Sequence, residues 1–107
     1  MTRYAKRTDE NHSDVVDKFR HAMPDATVFD ASGTGAGFPD LVVGWRGNNY
    51  LFEIKDPLKP QSKRSLTGAQ STFHNTWQGQ VSIVHSAAEM IAIIAKIHTP
   101  NNNKQIQ

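Results

Sequence analysis

The sequence predicts an α/β domain, a short mixed β-sheet flanked by helices in the order α-β-β-β-α-β-α. Three observations lead there. Apolar residues recur at helical spacing near the start, at Val15, Val16, Phe19, Ala22 and Met23. Two apolar runs flank a Gly47-Asn48 turn signal, as in a tight hairpin. Finally, Thr67-Gly68-Ala69-Gln70 and Ser86-Ala87-Ala88-Glu89 both read as capping boxes that open helices, with an apolar run between them.

Taken in order, the first helix covers residues 9–23 and is closed by Pro24-Asp25. A short strand, ATVFD, follows at 26–30, and a glycine-rich loop at 32–38 leads into the hairpin. The hairpin strands are expected at 41–45 and 50–55. Residues 57–65 are polar, basic and rich in breakers, so they read as an exposed loop. The second helix starts at the Thr67 box and runs to Gly79. A strand at 80–85 and a helix carrying Met90, Ile91, Ile93, Ile94 and Ile97 complete the domain. The tail, 99–107, is polar and asparagine-rich. At 107 residues this is a single domain with one core, spanning about 9–97.

Composition narrows the function classes. The chain has no cysteine, which excludes a disulfide framework or a thiolate metal site. No apolar run reaches membrane-span length and the first residues lack a signal-peptide core, so an intracellular, cytoplasmic protein with no membrane partner is expected. The net charge of +2 says little, but its distribution says more. Arg3, Lys6 and Arg7 cluster at the start, while Lys59, Lys63 and Arg64 follow the hairpin. Such runs are commonly solvated loops; beside an acidic centre they also suit a phosphate backbone.

That acidic centre is the strongest chemical signal. Asp40 runs directly into Leu41-Val42-Val43, and Glu53 stands between Phe52 and Ile54. Carboxylates inside strands that bury themselves need a partner to offset desolvation. Side chains alternate along a strand, so Glu53 and Lys55 share a face, and the hairpin brings Asp40 near them. Two hard oxygen donors beside an ammonium suit Mg²⁺ or Mn²⁺ better than zinc and point to phosphodiester chemistry. Each residue also has a plainer reading. Asp40 after Pro39 could be a turn or cap residue, and E-x-K could be the solvated face of an edge strand. His12, His21, His74, His85 and His98 show no ligand spacing, and Trp45 and Trp77 read as packing residues.

The motifs Gly37-Phe38-Pro39-Asp40, Glu53-Ile54-Lys55 and the helix-opening Gln70, in this order, resemble the PD-(D/E)xK nuclease superfamily, and within it the virus-type replication-repair nuclease (VRR-NUC) group. The resemblance spans roughly residues 9–94 and implies a restriction-endonuclease-like core. It implies that Asp40, Glu53 and the backbone carbonyl of Ile54 hold Mg²⁺ or Mn²⁺, and that Lys55 positions or deprotonates the attacking water. Gln70 would touch the site from its helix, although a capping-box glutamine has a structural reason to be there. An acid on the first helix approaches the metal in relatives; Asp9, Glu10, Asn11 and Asp14 all lie near the place, with Glu10 chosen. Arg7, Lys59, Lys63 and Arg64 would line the DNA path. The resemblance further implies a phage-type, homodimeric endonuclease that cuts branched DNA, including four-way (Holliday) junctions. Flap, nicked or duplex DNA as substrate, a non-catalytic DNA-binding accessory module and a metal-stabilised structural protein are the alternatives.

Overall fold

Two helices and a sheet share most of the apolar side chains. The computed structural model describes residues 10–59 and 65–98; the expectations for Arg7, Lys63, Arg64 and the tail lie outside them. The elements are α1 (His12–Ala22), β1 (Thr27–Asp30), β2 (Leu41–Trp45), β3 (Asn48–Ile54), α2 (Gly68–Thr76), β4 (Ser82–Val84) and α3 (Ala87–His98). The four strands form one mixed sheet in the order β1-β2-β3-β4. The first three run antiparallel, and β4 joins β3 in parallel after the α2 crossover. The α/β class and element order thus agree with the sequence. No helix among the described residues is long and apolar enough to cross a membrane.

Alternation explains the layering. Leu41 and Val43 on β2, Tyr50, Phe52 and Ile54 on β3, and Val84 on β4 pack with Val15, Val16 and Phe19 of α1 and Met90 and Ile94 of α3. A fully buried side chain of this kind contributes about 1.5–3 kcal/mol. Apolar burial alone therefore gives the core a substantial driving force.

Several boundaries shift from expectation, each for a local reason. Helix α1 begins at His12, with Asn11 as a cap residue that makes no side-chain capping bond, and stops at Ala22. The hairpin turn is Arg46-Gly47, not Gly47-Asn48. Both turn residues are left-handed, at φ 50° and 82°, the pattern of a two-residue turn that matches strand twist. Asn48 therefore already belongs to β3. Helix α2 ends at Thr76, before Gly79, and β4 keeps only Ser82–Val84. The Thr67 capping box is complete. At Ser86 only half forms: Ser86 Oγ accepts from the Glu89 N–H at 3.1 Å, while the Glu89 carboxylate reaches past Ser86 to the His85 N–H at 2.8 Å.

Helix α2 lies on the opposite side of the sheet from α1 and α3, seated by a close backbone approach. A Cβ on Gly37, at φ 81°, would stand 2.2 Å from the Ala69 carbonyl oxygen. Only glycine allows the 32–38 loop to pass so close to the start of α2. Phe38 then meets Phe73 edge-on at 5.5 Å, and Phe73 stacks on Trp77 at 4.9 Å. Trp45 packs against the core as expected and bonds Asp25 through its indole N–H. Trp77, also expected to pack, stacks on Phe73 but stays 44 % exposed.

Candidate active site

The hairpin register decides the site. Leu41 pairs with Phe52 across β2 and β3. Carried one residue further, that register sets Asp40 opposite Glu53, on the face turned away from the apolar core. Lys55, two residues after Glu53, shares that face. The start of α2 closes over them and delivers Gln70.

All four side chains are buried: Asp40 is 3 % exposed, Glu53 2 %, Lys55 7 % and Gln70 6 %. Gln70 is the hub. Its Nε2 donates to Glu53 Oε2 at 2.8 Å, and its Oε1 accepts from Lys55 Nζ at 3.0 Å. The same Oε1 accepts the Thr67 N–H at 3.0 Å, while Thr67 Oγ1 accepts the Gln70 N–H at 3.2 Å. One amide thus caps its own helix and bridges Glu53 to Lys55. Lys55 Nζ also stands 3.8 Å from Glu53 Oε2. Asp40 is fixed through its own strand pair, with Oδ2 accepting the Ile54 N–H at 2.8 Å. Its backbone carbonyl accepts the Ala31 N–H at 2.7 Å, tying the site to β1.

Two carboxylates and one ammonium, if all are charged, leave a net negative unit in a desolvated place. Burying such a unit is costly without further compensation. The donor set of Asp40 and Glu53 fits a hard divalent cation, whose remaining positions would go to water, backbone carbonyl or phosphate oxygens. It does not resemble a closed protein cage. Among the described residues no group of three or more His, Cys, Asp or Glu side chains converges.

Other candidates are placed elsewhere. Glu10, chosen as the first-helix acid, points to solvent with its side chain 81 % exposed and pairs with Lys59 at 3.2 Å. Asp14 is also exposed and pairs with Lys18 one turn on. Neither is brought to the carboxylates. From that region it is Asn11 that approaches β3, donating weakly to the Lys55 and His85 carbonyls at 3.5 and 3.4 Å. Lys59 follows Lys55 by four residues in the chain and pairs with Glu10.

Two groups escape a reading of the sequence alone. Asp56, next after Lys55, is buried and its Oδ1 accepts the Leu58 N–H at 2.9 Å, turning the chain out of β3. His74 lies one helical turn beyond Gln70 and so on the same side of α2. Burial, and then the positive charge of Lys55, hold its pKa below the ordinary 6.5. The signal available for His74 is the i,i+4 spacing to Gln70.

A separate acid–histidine pair lies on the core face. His12 is buried and its Nε2 lies 3.1 Å from Asp30 Oδ2. Burial opposes charge on Asp30, but hydrogen bonds from the Ser32 hydroxyl and N–H, and then His12, outweigh it and lower its pKa. Asp30 thereby organises the exit of β1 into the glycine-rich loop that ends at Asp40. Compared with protein-family models, curated proteins and solved structures, the chain matches none.

Proposed function

We propose that the chain is a Mg²⁺- or Mn²⁺-dependent DNA endonuclease with a restriction-endonuclease-like core. We further propose that it acts inside the cell on branched DNA, four-way junctions included, as a homodimer. The observation that carries this reading is the buried Asp40–Glu53–Lys55–Gln70 cluster at the end of the sheet. Acid, acid and base of this order and placement suit phosphodiester hydrolysis, and the motif resemblance points the same way.

Asp40 and Glu53, with the Ile54 carbonyl, would hold the ion, which when bound neutralises phosphate oxygens and acidifies water. The remaining chemistry belongs to the chain. Lys55 offers N–H donors to a phosphate oxygen or an attacking water, and Gln70 fixes the direction of its Nζ. The bond from the Ile54 N–H fixes the Asp40 carboxylate before any substrate arrives. Lys59, with Lys63 and Arg64, would hold neighbouring phosphates. The second face of the sheet leaves Phe29 and Ile83 exposed, apolar surface that a second copy could cover. One site cuts one strand, so paired cuts across a junction need two copies about a twofold axis.

The test is cleavage of a labelled four-way junction beside linear duplex, flap and single strand, with Mg²⁺, Mn²⁺ or EDTA. Paired, metal-dependent junction cuts by wild type that vanish in Lys55→Ala are expected. Cleavage confined to another substrate would remove the junction assignment but keep the nuclease. Junction binding without cleavage of any substrate would replace it by an accessory DNA-binding role.

A further inference from the structure

The inner side of α2 carries a polar atom that the proposed chemistry does not use. His74 Nε2 is enclosed by protein and has no hydrogen-bond partner. An unsatisfied polar atom inside a protein costs free energy, a cost that a partner arriving later would recover. Gln70, one helical turn before His74 on the same side of α2, bonds Lys55 Nζ at 3.0 Å, and the charge of Lys55 opposes protonation of the ring. A neutral imidazole has one ring nitrogen free to accept a hydrogen bond.

The needs of Lys55 indicate where that nitrogen goes. An ammonium has three N–H donors. One goes to Gln70 Oε1, an atom already shared with the Thr67 N–H. Another faces Glu53 Oε2 at 3.8 Å, longer than a hydrogen bond. If a cation engages Glu53, that attraction weakens and the lysine is left tethered through one shared oxygen. His74, on the Gln70 side of the same helix, offers a second acceptor. We propose that His74 is a positioning residue, whose Nε2 accepts a hydrogen bond from Lys55 Nζ in the substrate-bound site, so that Gln70 and His74 aim the third N–H at the reacting phosphate. This rests on the nuclease reading of the cluster, and it deepens that reading by assigning a residue with no contact to metal or substrate.

The geometry sets the experiment. Gln can place an acceptor oxygen near the position of Nε2, whereas Phe preserves the ring but offers no acceptor. Single-turnover cleavage should fall about tenfold to a hundredfold in His74→Phe, with KM and metal-free DNA binding within about twofold of wild type, as expected for a lost hydrogen bond to a charged group. His74→Gln should recover most of the rate. Equal rates for His74→Phe and wild type would overturn the proposal, and so would a loss in KM alone. A failure of wild type to cut anything would instead count against the nuclease reading, and the pairing would then be read without catalysis. In the protein–DNA complex, the nitrogen NMR spectrum of His74 should show the proton on Nδ1, with an Nε2 shift that moves in Lys55→Met. An Nε2-protonated ring indifferent to Lys55→Met would refute the pairing whether or not the protein cleaves.

Discussion

At the scale of single residues, Gln70 determines more than its size suggests. Gln70→Ala removes the partner of Lys55 Nζ, the partner of Glu53 Oε2 and half of a helix cap together. Leaving two buried charged groups short of a hydrogen bond costs more than the bond itself was worth. We expect a loss of about 2–4 kcal/mol in chemical denaturation. Gln70→Glu should recover the cap but set a second carboxylate against Glu53, and so remain less stable than wild type. His74 gives a pH signature at the same scale. Its folded-state pKa lies below 6.5, so the unfolded chain binds more protons between that lower value and 6.5. Its stabilising contribution is complete above 6.5 and is lost as pH falls through the folded-state value. The melting temperature of His74→Phe should therefore decline less steeply than that of wild type over this acid window, and parallel declines would contradict the assignment. Glu53→Gln removes a carboxylate oxygen with almost no change of shape. It should abolish metal-dependent cleavage and leave DNA binding intact.

At the scale of elements, the site is a consequence of one hairpin and one helix start. The two-residue turn at Arg46-Gly47 fixes the β2–β3 register, and the register sets Asp40 against Glu53. A slip of one residue would send these side chains to opposite faces of the sheet. Period-two alternation is legible in the residues themselves, which is why Asp40, Glu53 and Lys55 can be found from the sequence. The exact turn is not, because Arg46 gives no sign in advance that it will adopt φ 50°. Gln70 is legible through its capping box, whereas His74 requires knowing which side of α2 meets the sheet. Glu10 is placed by a boundary the sequence does not mark: it precedes the Asn11 cap of α1, outside the helix, and pairs with Lys59 in solvent. Gly37 is the joint between the two elements. Gly37→Ala adds left-handed strain of about 1–2 kcal/mol and drives a methyl into the Ala69 carbonyl. We expect the variant to lose at least that much stability and, by displacing the start of α2, to lose cleavage too. Unchanged activity in a stably folded Gly37→Ala protein would show that α2 does not set the geometry of Lys55.

At the scale of the whole molecule, the apolar core and the acidic cluster occupy opposite faces of the sheet, so structure and chemistry separate. The core of Phe19, Leu41, Phe52, Met90 and Ile94 needs no ion to pack. Chelation should therefore silence the protein while leaving one cooperative unfolding transition. A metal at about a hundredfold above its Kd should raise stability by about 2.7 kcal/mol. Collapse of the fold in EDTA would favour a structural metal instead. The modest net charge of +2 makes local basic groups matter for binding. Neutralising Lys59, Lys63 and Arg64 together should flatten the salt dependence of DNA binding by about 0.9 in logarithmic slope for each phosphate that is no longer neutralised, and an unchanged slope would take them off the DNA path. The central claim is that Asp40 and Glu53, paired across the hairpin, cut DNA. Its most direct test is Mn²⁺-dependent cleavage of a four-way junction by wild type and Glu53→Gln, with binding measured in parallel. Wild type should make paired cuts, and the variant should bind the junction without cutting it; cleavage by Glu53→Gln at the wild-type rate would contradict the claim.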